Sequence, residues 1–143
     1  MTDRVSKIEI RRLMSMPSVM RWRIEALGAE SGGRPSRRLL VACRQYYRAH
    51  IPDGSHMAFV AEYDGEACGC GGVSFADVAP STDNPSGRVA CLSGVYVRAA
   101  FAGLGVEEAL AECLMAEARR NGCGMVCADS ASRRFLTDDM LRL

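Results

Sequence analysis

Residues 88–122 pass from a strand pattern through two glycines into an amphipathic helix, an order that leaves few ways for the rest of the chain to pack. Val89, Cys91, Ser93, Val95 and Val97 alternate with Ala90, Leu92, Gly94, Tyr96 and Arg98, the period of two of a strand with two different faces. Gly94 inside that run predicts a bulge or a close approach by a ligand, because no Cβ stands in the way. Gly103 and Gly105 then let the backbone of residues 101–106 turn tightly. The first N–H groups of the following helix lack intrahelical partners, so such a turn can hold a phosphate.

That helix is well specified. Val106, Ala109, Leu110, Cys113, Leu114 and Ala118 form one apolar stripe, with Glu107, Glu108, Glu112, Glu117, Arg119 and Arg120 off it. Acidic residues occupy the first turn and basic ones the last, and Gly122 suits a left-handed terminus.

Val95, Tyr96, Val97 and Arg98, then Gly103, Leu104, Gly105 and Val106, then Ala109, Leu110 and residues 116–122, resemble the acetyl-CoA-binding segment of the GNAT superfamily of N-acetyltransferases. The resemblance implies that the pyrophosphate of acetyl-CoA rests on the turn Ala102, Gly103, Leu104, Gly105, Val106 and Glu107. It also implies that the pantetheine arm pairs with the backbone of Val95, Tyr96 and Val97. The family's turn motif, Gln/Arg-x-x-Gly-x-Gly/Ala, falls on residues 102–107, where Gly105 matches, Ala102 replaces the Arg or Gln, and Glu107 replaces the small residue.

Length and composition suit this reading. The chain has 143 residues, 48% of them hydrophobic, and a formal net charge of +1, which describes a single domain over residues 1–143 able to bury one core. Charge of both signs is spread along the chain, so no nucleic-acid partner is expected; the local cluster Arg34, Arg37 and Arg38 reads as a solvated helix face. No apolar run approaches the roughly 20 residues of a membrane span, and the N-terminus lacks a signal-peptide core, so a cytoplasmic protein without a membrane partner is expected. The seven cysteines contain no Cys-x-x-Cys pair, and only His50 and His56 could add imidazole ligands. They read as reduced thiols in apolar positions, with no metal expected.

Upstream, Ile8 and Ile10 alternate with charged residues in a first strand, and Pro17 stands where a helix can begin. Residues 19–30 read as a helix, Gly32, Gly33 and Pro35 as a break, and Ser36 as the cap of a second helix carrying Leu39, Leu40, Cys43, Tyr46 and Tyr47. Residues 57–63 and 67–78 read as two strands joined by the turn Asp64-Gly65, followed by a loop over residues 79–87. This order also resembles a GNAT domain, where the region between the first two helices shapes the acceptor site, here residues 28–38. The implied fold is α/β (α+β), a mixed and mostly antiparallel sheet flanked by helices.

An acceptor amine must lose a proton as it attacks the thioester, and a carboxylate is a usual base. Glu62, near the end of a strand neighbouring the central one, is the first candidate; Ser93 and Tyr96 are further candidates for proton relay. Residues 124–128 read as a fifth strand. A GNAT domain would continue with a helix carrying a Leu-Tyr-Glu-like segment and two more strands, whereas only residues 130–143 follow here and no tyrosine comes after Tyr96. The last two strands are therefore expected to be missing or shortened, with residues 135–143 a short helix or a final strand. An uncovered fifth-strand edge would then invite a second copy, giving a homodimer. Two functions follow: transfer of an acetyl group from acetyl-CoA to a small-molecule or peptide amine, or a catalytically inactive GNAT-like module that binds CoA or a protein.

Overall fold

The computed structural model describes residues 7–133 and 136. Its elements run β1 (Ile8–Leu13), α1 (Met16–Ser31), α2 (Arg37–His50), β2 (His56–Tyr63), β3 (Glu66–Asp77), β4 (Arg88–Val97), a 3-10 turn (Ala99–Phe101), α3 (Val106–Arg120), β5 (Met125–Ala128) and α4 (Ser130–Arg133). The five strands lie in sequence order in one sheet. Three pairings are antiparallel, and α3 makes the crossover that leaves β5 parallel to β4. This is the mixed, mostly antiparallel sheet expected from the sequence. The expected shortening of the last two strands concerns residues outside those described.

Alternation along the strands sorts the core into two layers. Phe59 and Ala61 of β2, with Val73, Leu92 and Val95, pack against Val106, Leu110, Leu114 and Met115 of α3. Ala58 and Val60 point to the opposite face, where they meet Val19, Met20, Trp22 and Ala26 of α1 and Leu40 and Tyr47 of α2. The sheet is thus covered on both sides.

Several local choices explain the boundaries. Helix α1 starts at Met16, three residues before the expected start, because Pro17 falls in the first turn, where a missing N–H is no loss. Gly32 ends it at φ 73°, its N–H donating to the Gly28 carbonyl at 2.9 Å. Ser36 caps α2 as expected, its Oγ accepting from the Leu39 N–H at 3.1 Å. Asp64 and Gly65 both take positive φ, 51° and 83°, which gives the β2–β3 hairpin a turn twisted like its strands. The apolar face of α3 is wider than its stripe: Ala111 and Met115 are buried too, and so is Glu117, whose carboxylate pairs with Arg120.

No helix among the described residues is long and apolar enough to cross a membrane, and no group of three His, Cys, Asp or Glu among them could hold a metal.

Candidate active site at the parting of two strands

Strands β4 and β5 pair only from Val89 with Met125 to Leu92 with Ala128. The Asp129 N–H closes this ladder on the Leu92 carbonyl at 3.1 Å, after which the chains part. Gly94, at φ 64°, turns the β4 backbone at this point, next to a register shift against β3 between Cys70 and Gly72. The conformation is one that other residues adopt only under strain, and a Cβ there would stand 2.6 Å from Nη1 of Arg23. The glycine is required twice over.

Beyond Gly94 a groove opens along Val95, Tyr96 and Val97, walled by Ala26, Ala29 and Glu30 of α1 and by Ala131 of α4. Two β4 amides on this side are already engaged. Gly94 N–H donates to Asp129 Oδ2 at 3.0 Å, and Val95 N–H to Ser132 Oγ at 3.1 Å. Burial would raise the Asp129 pKa, but the hydrogen bonds from Ser132 and Gly94 outweigh it and hold the carboxyl below its ordinary value. Val97 follows Val95 by one strand period, so its N–H and C=O face the same groove, past the end of β5.

The turn expected to hold a phosphate comes next. Gly103 and Gly105 take φ values of 78° and 90°, Gly105 is the N-cap of α3, and no side chain caps that end. The amides of Val106, Glu107 and Glu108 therefore begin the helix without a side-chain acceptor, with the carboxylates of Glu107 and Glu108 in the same first turn. Ala102 and Leu104 are exposed and bring no charge.

On the α1 and α2 side of the sheet lies a cavity walled by Leu13, Val19, Trp22 and Tyr47, with Gly71, Gly72, Ser93 and Gly94 along the sheet. Its mouth is lined by Tyr46, Ser74 and Cys43. His56 projects into it, 3% exposed; its Nδ1 lies 2.8 Å from Ser74 Oγ, which is 2.6 Å from the Tyr46 hydroxyl. Nε2 lies over Gly72, where a Cβ would come within 2.8 Å of it. Burial, with the charge of Arg23 second, pushes the imidazole down to about 4, so it is neutral at pH 7. Burial also pushes the Tyr47 hydroxyl and the Cys70 thiol up to about 12, leaving both protonated.

The sequence candidates are distributed unevenly around these openings. Ser93 lines both the cavity and its mouth. Tyr96 lines the groove, its hydroxyl donating to Glu25 Oε2 at 2.9 Å. The same carboxylate takes a two-pronged bond from Arg98 at 2.7 and 2.9 Å, and this bond lowers the Glu25 pKa. Glu62 sits on β2 away from the cavity-lining residues and pairs with Arg11 at 2.5 Å. Residues 28–38 lie apart from the cavity, several of them around a separate surface depression with Leu27 and Leu39. Sequence reasoning missed Arg23 and His56 as site residues. An arginine inside the α1 pattern and a histidine opening β2 look like ordinary solvated or packed positions, and only the fold brings them together.

Comparison with known proteins agrees with this geometry. The model of the Acetyltransferase (GNAT) family matches residues 17–137. Among solved structures, that of a predicted acetyltransferase with acetyl-CoA from Clostridium acetobutylicum superposes with a TM-score of 0.76 at 18% identity, covering 95% of this chain and 95% of that one. A GCN5-related N-acetyltransferase from Ralstonia eutropha JMP134 gives 0.71 at 22% identity, covering 88% and 85%. An aminoglycoside N-acetyltransferase in complex with CoA gives 0.65 at 21% identity, covering 94% and 84%. No curated protein matches the chain. With the family model spanning most of its length, and the sheet and parted strands in place, the chain belongs to the GNAT acetyltransferase family.

Proposed function

We propose that this protein transfers an acetyl group from acetyl-CoA to a primary amine, of a small molecule or a peptide, by direct attack on the thioester. The observation that carries this reading is that the groove along Val95 to Val97 and the cavity under α1 and α2 meet at Gly94. An extended arm in the groove and an acceptor in the cavity would thus face each other across one glycine. Val97 would supply the backbone groups for the pantetheine, and the amides of residues 103–107 would take the pyrophosphate. His56, neutral and with Nε2 unbonded among the described residues, would accept the proton of the attacking amine. Ser93 is the hydroxyl placed to pass a proton onward, since that of Tyr96 is committed to Glu25. Glu62 remains the carboxylate alternative.

A second reading rests on a specific observation. Asp129 and Ser132 already hold the Gly94 and Val95 amides, and two carboxylates stand at the phosphate turn, as a non-catalytic CoA-binding or protein-binding module would tolerate. Calorimetric titration with acetyl-CoA, followed by a thiol-release assay over a panel of amines, separates the two. Absence of binding at millimolar ligand would overturn the transferase reading, and binding without thiol release would leave the module.

Glu107 and Glu108 lead to a further expectation. Carboxylates in the first helical turn repel a pyrophosphate that the free amides attract. Glu107→Gly combined with Glu108→Arg should tighten CoA binding about tenfold at low ionic strength, and less in high salt. Equal affinity for both proteins at low salt would mean that these residues face away from the ligand.

We also propose a homodimer. Among the described residues β5 has no strand beyond it, and an unpaired edge can accept a second chain. Sedimentation showing a monomer at micromolar concentration would count against it.

A further inference from the structure

We infer that the acceptor is a small primary amine that carries a carboxylate close to its nitrogen, an apolar α-amino acid being the simplest compound of this kind, and that Arg23 binds the carboxylate. This inference rests on the acetyl-transfer reading for the role of the compound, but its binding claim stands on the cavity alone.

Arg23 is a cation without a direct ion pair among the described residues. Arg23 extends from α1 into the cavity, its Nη1 lying against Gly94, where the cavity meets the groove. Its Nε is buried with no hydrogen-bond partner, and among the described residues no carboxylate lies within 4 Å of the guanidinium. The other buried cavity groups cannot neutralise it: His56, Tyr47 and Cys70 all stay uncharged at pH 7. Asp129 is near enough to feel the charge of Arg23 but makes no ion pair with it, its oxygens accepting instead from the amides of Gly94 and Ser132. The neighbouring Arg98, by contrast, is fully engaged with Glu25 and the Ala67 carbonyl. Arg23 is half-buried with its Nε cut off from water and unpartnered, so an anion in the cavity would satisfy it, and its planar fork fits a carboxylate with two parallel bonds.

The remaining surfaces narrow the class. Leu13, Val19, Trp22 and Tyr47 are apolar or aromatic walls suited to a hydrocarbon side chain. His56 faces the same space with a free Nε2, so a carboxylate on Arg23 would leave the nearby amine in reach of a base. Neutralising Arg23 would also remove the second of the influences that hold the His56 imidazole down, making it a better proton acceptor when the site is filled.

The test compares L-leucine and L-phenylalanine with isoamylamine and phenethylamine, the same compounds without the carboxylate. Calorimetry and thermal-shift titration of the full chain read binding directly, with and without CoA; thiol release from acetyl-CoA reads turnover. At least about tenfold tighter binding of the amino acids is expected, and Arg23→Met should abolish that preference, with Arg23→Lys between. Arg23→Met should also melt no lower than the parent, since it removes a half-buried charge whose Nε has no partner; a marked loss of melting temperature would make Arg23 structural and overturn the inference. Equal binding of amino acids and amines to the parent protein would overturn it as well. Amino-acid binding without thiol release would instead sink the transferase reading and uphold the site.

Discussion

His56→Asn is expected to lower kcat by about 10²- to 10⁴-fold, the usual contribution of a positioned general base, while acetyl-CoA affinity stays within about twofold. Asparagine can keep a hydrogen bond to Ser74 Oγ, the 2.8 Å partner of Nδ1, so the substitution removes Nε2 with little change in the wall around it. Glu62→Gln is the matched comparison. If Glu62→Gln loses the activity and His56→Asn retains it, the base is the β2 carboxylate, released from Arg11 in the working complex. The same imidazole has a signature without substrate. Its folded-state pKa of about 4 lies below the ordinary value of 6.5, so between those values the unfolded chain binds a proton that the folded one refuses. Stability should therefore rise with pH across that window and be lost as pH falls through it, by as much as roughly 3 kcal/mol. Denaturant unfolding at pH 4.5 and 7 measures this, and His56→Asn should flatten the difference. An unchanged pH dependence in the variant would mean that another group titrates there.

Leu114→Ala is expected to destabilise the fold by about 2–5 kcal/mol, a large share of the 5–15 kcal/mol of a typical domain, and to lower Tm by roughly 10 °C. Leu114 is wholly buried on α3, and its Cδ1 lies close beneath Gly71, 3.2 Å from where a Cβ would stand. Gly71 is also part of the cavity on the opposite face of the sheet. The void left by the substitution would thus lie directly under the acceptor site, separated from it by one backbone. Because the surrounding strand is paired on both sides, it cannot collapse far into the gap. Circular-dichroism melting reads the loss; a drop of less than about 3 °C would mean that α3 slides to refill the space.

Much of the frame could be read before any coordinates. The strand, glycine turn and helix over residues 88–122, the Asp64-Gly65 hairpin and the Ser36 cap are local events, set by which φ each residue tolerates and by which side chain reaches its own backbone. The apolar stripe of α3 was visible for the same reason, since a 3.6-residue period is written along one segment. Its true width was not: nothing in the local pattern reveals that Glu117 is buried at the edge of the core with the exposed Arg120 closing over its carboxylate.

The candidate site divides along the same line. Val95, Tyr96, Val97 and the turn at residues 102–107 were nameable because they form one continuous stretch whose backbone does the work. The parting of β4 and β5 was only hinted at by Gly94; it depends on where Asp129 and Ser132 reach back to the strand, 35 and 37 residues away. The cavity joins Arg23 of α1, Tyr47 of α2, His56 of β2 and Ser93 of β4, residues separated by long stretches of chain and bearing no shared spacing. The strands, the first three helices, the turn chemistry and the motifs that carry the family resemblance lie in short continuous stretches and so could be read locally, whereas α4, whose Ser132 helps hold the parted strand, could not. Tertiary structure alone decided which charge stands unpaired beside which base, because burial and long-range packing, not local preference, set the environment of those two side chains.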